Sequence, residues 1–455
     1  MGSDEETQRT FKCYQDEVIS TSPPRSTLTY VWEIFVHLFY TFLTDWTMPI
    51  TRPINFFFTC IFYPAAISII LVMSFGIRII NYFGLFDYIN WFDNNEWGGY
   101  NGDKLKQIRE NGMIVLGSPV PNPPQPIPFN IDLVETLLFF SSVVYYRGNP
   151  NYNKMTDTTK STIKKRRNDA EKTIVEIIRP WGIKFHSFGE LSSTENIFAG
   201  LFWSHEKNFI VVSFKGSSPP VISDFITDFL FNRVDAQAFV YGMMHQGFYY
   251  SLFNDYDDNS KSCTANSLVE VILKKVEKWN NPTPVNIWLT GHSLGGSLAQ
   301  AFYARLIKIQ SSLGKKIVVR DAVVFGSLTL GDLDFASSFH GMLNLKTNEH
   351  RTLWRIIGDD DVAARVPPRH LLKRFRQYVT KEDVMNYYLI GNEMQFFHDG
   401  QKPKNPSNLS TNPISDAFGV LAKLIILKPF IDHWPVTYFK AIEKSRHHFN
   451  TESDE

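Results

Sequence analysis

Apolar and polar positions divide the chain into a long uncharged N-terminal stretch and a later alternation of strand-like and helix-like runs. From Pro53 to Ile77 there is no charged residue, and Arg52 and Arg78 bracket the run. A helix of that length reaches across the roughly 30 Å of a bilayer's hydrocarbon. Pro64 near its centre, with Asn55 and Ser68 inside it, also suits a bent hairpin that dips into one leaflet. Upstream, Tyr30 to Trp46 is interrupted only by Glu33, His37 and Asp45, a pattern that fits an interfacial helix. A proline-dense connector, "GSPVPNPPQPIPFN", follows from Gly117 to Asn130 and cannot be helical. Beyond it, Asp132 to Tyr146 resumes as an apolar helix. "NIFAGLFW" and "NFIVVSF", separated by Ser204 to Lys207, read as a β-hairpin. Strand and helix then alternate through "DAVVFG" (Asp321 to Gly326) and "LWRIIG" (Leu353 to Gly358). The expected fold class is therefore α/β, a sheet with helices on both faces.

These shifts set the expected organisation. A polar tail covers 1–29, a hydrophobic membrane- or droplet-anchoring region 30–90, and a linker 91–130, proline-rich at its end. An α/β domain then fills 131–445, and a polar tail 446–455. The chain has 455 residues, and Lys plus Arg balance Asp plus Glu at 46 each, so no global field favours nucleic acid. Cys13, Cys60 and Cys263 form neither a metal spacing nor a disulfide framework. The polar opening "MGSDEETQRT" is unlike a secretory signal, which points to an intracellular, membrane-associated setting.

The chemistry concentrates in "NIWLTGHSLGGSLAQ". A short apolar strand breaks at Gly291, and Leu298, Ala301, Phe302 and Leu306 recur at helical spacing after it. Ser293 thus sits in a strand-to-helix turn so sharp that a Cβ at Gly291 or Gly295 would clash. Gly291-x-Ser293-x-Gly295 has the form of the nucleophile elbow of α/β-hydrolases, which exposes a serine hydroxyl and aims a helix N-terminus at a developing oxyanion. The main-chain N–H of Leu294, after the nucleophile, is a donor for that oxyanion.

A serine hydroxyl needs a base, and the base an orienting carboxylate. Asp359, Asp360 and Asp361 follow the strand that ends at Gly358. Downstream histidines are His370, His398, His433, His447 and His448. The residue pattern alone leaves the choice among them open. Between "FKGSS" and "MHQGF", residues Val221, Ile222, Phe225, Ile226 and Phe229 line one helical face, as in a core helix.

"TGHSLGGSLA" together with "VVSFKGSS", "MHQGF" and "GDDDVAARVPP" resembles the class 3 lipases, the fungal-type triacylglycerol lipase family. Within it the chain is most similar to the oil-body lipase type, whose histidine stands in an H-x-P-x-x-Y pattern, here His433-Trp434-Pro435-Val436-Thr437-Tyr438. The resemblance implies an α/β-hydrolase fold with a helical lid at about 218–232, in front of which lies the N-terminal hydrophobic helical region. It implies Ser293, Asp361 and His433 as catalytic residues, Ser217 beside Leu294 in the oxyanion hole, and Val221, Ile222, Phe225, Ile226 and Phe229 on the lid. The implied activity is hydrolysis of neutral glycerolipid esters at a membrane or lipid-droplet monolayer, without metal or cofactor. Phospholipase A1 or diacylglycerol lipase activity, and a noncatalytic lipid-surface scaffold, are the alternatives.

Overall fold

The computed structural model describes residues 32, 35, 39, 43, 46–51, 53, 56, 60, 64, 68, 102–120, 128–148, 160–190, 198–216, 233–253, 264–345, 351–359, 361, 363–365, 387–405 and 432–450. Most of the expected anchor (30–90), the proline run at 121–127, the expected lid with Val221, Ile222, Phe225, Ile226 and Phe229, and Ser217, Asp360 and His370 lie outside the described residues.

Seven strands form one sheet. β1 (Lys184–Glu190), β2 (Phe198–Ser204) and β3 (Phe209–Lys215) are antiparallel neighbours, and β2–β3 is the hairpin expected from the sequence. Beside β3 lie β6 (Val285–His292), β7 (Ile317–Phe325), β8 (Leu353–Ile357) and β9 (Asn392–Gln395), all parallel, in the order β1-β2-β3-β6-β7-β8-β9. The short β4 (Arg233–Asp235) and β5 (Met243–His245) pair separately. A mostly parallel sheet must be covered on both faces, and its strands read accordingly as continuous apolar runs. All eight residues of β6 are buried.

Alternation along the strands sorts two cores. Ile210, Val212, Phe214, Ile287 and Leu289 face one side, against α5 (Thr264–Trp279) and α6 (Leu294–Lys308). Phe209, Val211, Trp288, Val323 and Phe325 face the other. There they meet α1 (Gly102–Gly117), α2 (Ile131–Val143), α3 (Lys160–Ile178) and α8 (Pro435–Ser445). Further helices among the described residues include α4 (Gln246–Phe253), α7 (Leu333–Leu343) and α9 (His447–Asn450).

Helix α2 is buried because it lies across the sheet. Asn130 caps it, accepting from the Leu133 N–H at 2.8 Å. The hydroxyls of Ser213 and Thr290 donate to its Phe140 and Leu137 carbonyls at 3.1 Å each. Phe139 stacks on Trp181 at 4.5 Å.

Two segments differ from the sequence reading. Residues 102–117, inside the stretch read as linker, are the helix α1. Ile108, Gly112 and Leu116 are buried on its inner face. A Cβ at Gly112 would meet Thr136 Oγ1 at 2.3 Å, so the glycine is what lets α1 and α2 approach. The Leu116 carbonyl accepts from Trp288 Nε1 at 3.0 Å and from Asn286 Nδ2 at 3.1 Å, while Ser118 accepts from Arg320 at 2.7 Å. Side chains of the central strands thus cap the end of α1. Likewise the start of the segment read as a polar tail is docked. Arg446 donates to Asp132 and Glu135, and Phe449 packs 5.1 Å from Phe129.

Candidate active site

Strand register brings the chemistry together. In the parallel part of the sheet Phe214 pairs with Gly291, His292 with Phe325, and Phe325 with Ile356. The carboxyl ends of β3, β6, β7 and β8 therefore stand side by side, the position where open α/β sheets present their ligand crevice.

At the end of β6 the chain turns into α6 through Ser293, which is held at φ 60°, ψ −132°. A non-glycine residue in that region stores strain that the surroundings must enforce. Two tight approaches enforce it. A Cβ at Gly291 would lie 2.3 Å from the Gly295 carbonyl oxygen, and one at Gly295 would lie 2.2 Å from that of Phe214. The Ser293 N–H donates to the Phe325 carbonyl at 2.8 Å, tying the turn to β7. Leu294 is the first residue of α6, where main-chain N–H groups have no intrahelical acceptor.

Ser293 Oγ lies 2.8 Å from His433 Nε2, and His433 Nδ1 lies 2.9 Å from Asp361 Oδ2 and 3.0 Å from Oδ1. An ionised carboxylate only accepts, so Nδ1 carries the proton and Nε2 is left to accept from the serine. Asp361 is buried and takes two further donors, the Ala363 N–H at 2.8 Å and the Tyr438 hydroxyl. Burial by itself would raise its pKa. Electrostatic attraction to His433, with the hydrogen bonds from His433 and Tyr438, more than offsets that and holds the carboxyl below its ordinary value. Tyr438 is pushed well above the ordinary phenol value by burial and by Asp361, so it remains a donor.

The structure thus joins Ser293, His433 and Asp361. His398, another of the candidate histidines, instead pairs with Asp432 Oδ1 at 2.9 Å. His448 lies within 3.0 Å of the Gly400 carbonyl, and His447 within 2.9 Å of that of Lys444. Gly216, at the end of β3, is the last described residue before Ser217.

Several supporting residues carried no signal in the sequence. The buried Arg355 of β8 pairs with Glu393 of β9 at 2.9 Å. It also donates to the Ser327 and Ala364 carbonyls at 3.1 and 3.2 Å, bracing the loops on either side of Asp361. His292 and Tyr145 lie against His433 and Gly216. An arginine in a strand or a tyrosine at a helix end has many ordinary roles, and only the fold singles these out. Among the described residues no group of three or more His, Cys, Asp or Glu side chains is arranged to hold a metal ion.

Residues 211–371 match the family described as Lipase (class 3). This segment is thus similar to the class 3 lipases. Within its bounds lie the elbow and Asp361, with His433 following it. Two Arabidopsis thaliana proteins are similar to the chain. Phospholipase A1-IIgamma is 30% identical over 162 residues, 32% of this chain and 37% of that protein. Triacylglycerol lipase OBL1 is 24% identical over 188 residues, 36% of this chain and 35% of that protein. The chain therefore spans little more than a third of the length of these relatives. Among solved structures, a Rhizomucor miehei lipase propeptide complex is 18% identical with a TM-score of 0.42, covering 71% of this chain and 84% of that one. A mono- and diacylglycerol lipase from Aspergillus oryzae has 18% identity and a TM-score of 0.41, covering 70% of this chain and 100% of the other.

Histidine burial around the site has a measurable consequence. His245, at the end of β5, stacks 4.3 Å from Phe248 and accepts the Gly247 N–H at Nδ1, 3.1 Å. Burial pushes its pKa from 6.5 down to about 3. The folded state therefore holds fewer protons than the unfolded chain between those values. Its contribution to stability is complete above pH 6.5 and is lost as pH falls toward 3. His245→Asn keeps an acceptor for Gly247 but cannot titrate. Urea unfolding from pH 7 to 4.5 should show the two proteins converging by about 1.4 kcal/mol per pH unit below pH 6.5. Parallel stability curves would remove this assignment.

Proposed function

We propose that this protein is a serine lipase that hydrolyses acyl esters of neutral glycerolipids, triacylglycerol foremost, at a membrane or lipid-droplet surface. The observation that carries the reading is the hydrogen-bonded chain Ser293–His433–Asp361 built on a strained strand-to-helix turn. Ser293 Oγ attacks the ester carbonyl carbon while its proton passes to His433 Nε2, and Asp361 stabilises the imidazolium that forms. Negative charge collects on the carbonyl oxygen, where the Leu294 N–H and Ser217 donate to it. Collapse expels the alcohol, which takes the proton from His433. Water, deprotonated by the same histidine, then releases the fatty acid from Ser293.

The similarity to the class 3 lipases and the triacylglycerol lipase among the relatives support this substrate class. The phospholipase A1 among them supports a second reading, in which a phospholipid ester is cut by the same steps. Lipid-surface attachment rests on the N-terminal residues. Trp32, Phe35, Phe39 and Leu43 are helical, three or four residues apart, and 50–68% exposed. Trp46 and Ile50 continue the exposed series. An aromatic and aliphatic face of this kind loses free energy in water and gains it in an acyl-chain boundary. No helix among the described residues is long and apolar enough to cross a membrane. A monolayer-dipping anchor within 30–90 and a lid carrying Phe225 and Phe229 remain parts of the proposal.

The test is fatty-acid release by the purified full chain from a triacylglycerol emulsion and from phosphatidylcholine vesicles, with fluorophosphonate labelling alongside. Release from the emulsion exceeding that from the vesicles is the expected result, and the reverse makes the phospholipid the substrate. A chain that releases nothing and takes no label is not an ester hydrolase. If the lid reading holds, replacing Phe225 and Phe229 by serine should flatten the rise in rate seen when the ester passes from monomers to an emulsion.

A further inference from the structure

Both nitrogens of His433 are committed, one to Asp361 and one to Ser293, yet neither bond fixes the height of its main chain above the sheet. The residue stands on the short approach to α8, before Pro435. A second hydrogen-bonded chain holds its main chain. His292 Nε2 lies 2.6 Å from the His433 carbonyl oxygen, with the two rings 4.7 Å apart. His292 Nδ1 lies 2.8 Å from the Tyr145 hydroxyl. The main chain at Gly216 bonds that same hydroxyl, and a Cβ at Gly216 would stand 2.5 Å from it.

We propose that Tyr145 and His292 are positioning residues for the base, a buried relay that runs from the end of β3 to the main chain of His433. The inference rests on the hydrolase reading given above. A carbonyl oxygen can only accept, so His292 Nε2 must carry the proton and Nδ1 must accept from Tyr145. The relay is thus directional and works only with a neutral imidazole. Burial, reinforced by the neighbouring His433, depresses the His292 pKa to about 3, so the ring stays neutral throughout the working range.

The placement has a mechanical consequence. His292 and Ser293 are consecutive residues, so the nucleophile and the brace of its base ride on one turn. A shift of the elbow carries His433 with it and preserves the 2.8 Å contact between Oγ and Nε2. At the far end Tyr145 touches Gly216, the residue before the expected oxyanion donor Ser217. Nucleophile, base and oxyanion strand are thereby referred to a single pair of side chains. Both side chains act through His433.

The test uses the full chain, a soluble short-chain ester and four variants. His292→Gln sets an amide nitrogen the same number of bonds from Cβ as Nε2, and His292→Asn sets it one bond short of the His433 carbonyl. His292→Leu removes the donor, and Tyr145→Phe removes the far support. Displacement of a reacting group by about 1 Å costs on the order of a hundredfold. His292→Leu and His292→Asn should therefore lose about a hundredfold in kcat with KM held within about threefold. His292→Gln should stay close to the parent, with Tyr145→Phe between. Equal impairment of the Gln and Asn variants, or losses that only follow the fall in unfolding temperature, overturns the relay. So does a kcat for the Asn variant within threefold of the parent. If the Leu variant fails to fold, the Gln and Asn pair still decides. A parent that neither turns over esters nor takes a fluorophosphonate label defeats the hydrolase reading instead. Crystal structures of the parent and of His292→Asn then decide the relay: it stands if His433 moves away from Ser293 and falls if the two superpose.

Discussion

Ser293→Ala should reduce ester hydrolysis by about a millionfold while the domain unfolds at an unchanged temperature, the scale of loss seen when a triad nucleophile is removed. The backbone at 293 is held by its neighbours, through the Phe325 carbonyl and the close approaches at Gly291 and Gly295, and not by the hydroxyl. Asp361→Asn should cost about ten-thousandfold, for a reason visible in its surroundings. The carboxylate accepts from three donors: His433 Nδ1, the Ala363 N–H and the Tyr438 hydroxyl. An amide offers one acceptor oxygen, and its NH2 must face at least one of those donors. The histidine then turns to the tautomer with the proton on Nε2, which cannot take the proton of Ser293. Asp360→Asn should leave turnover near the parental value. Steady-state rates on a soluble ester, with fluorophosphonate labelling of the active fraction, check all three. Near-normal turnover in Asp361→Asn beside a dead Asp360→Asn would move the acid by one residue.

Gly326→Ala should give a folded protein with kcat reduced by about a hundredfold or more. Gly326 follows β7 at φ 54°, a conformation that L side chains rarely adopt. A Cβ there would stand 2.6 Å from Asp361 Oδ2 and 2.9 Å from His433 Cε1 and Nδ1. The conformational strain costs about 1–2 kcal/mol, a small part of the stability of a domain this size. The collision, by contrast, falls on the acid–base contact, which must yield by several tenths of an ångström. Gly295→Ala makes the control, because its Cβ meets a main-chain oxygen, that of Phe214, at 2.2 Å. That clash forces the α6–β3 packing apart, so the expected outcome is loss of folded protein. Circular dichroism and kcat measured on the same preparations separate the two. Turnover within threefold of the parent in Gly326→Ala would show that the site tolerates the methyl and that the triad geometry is softer than argued.

The elbow was legible in the sequence because its determinants are local. A buried strand, two glycines and a helix pattern within fifteen residues constrain one another sterically, and no distant contact is needed to read them. The succession of strands and helices was legible for the same reason, since short apolar runs and helical spacing are both patterns within a few residues. Helix α1 was missed beside the proline run that follows it, although Leu105, Ile108, Gly112, Met113 and Leu116 recur at helical spacing. Its docking depends on Thr136, Asn286, Trp288 and Arg320, which are distant in sequence.

The choice of partners for Ser293 was a different matter. Three consecutive aspartates and several histidines have the right chemistry, and composition and spacing do not rank them. The resemblance to the class 3 lipases singled out Asp361 and His433. Physically, the parallel register of β6, β7 and β8 brings the strand ends before Ser293 and Asp361 together, and His433 reaches them from the approach to α8, 72 residues from Asp361 and 140 from Ser293. The Tyr145–His292 relay lies further still from any sequence signal. A hydrogen bond between a helix-end tyrosine and a strand-end histidine 147 residues apart leaves no periodicity behind. The sequence by itself determined the elbow, the succession of strands and helices and the uncharged N-terminal run, because sterics, burial and hydropathy act over short spans of chain. Only the tertiary structure decided which aspartate and which histidines converge on Ser293, because hydrogen-bond geometry exists only once the strands are in register.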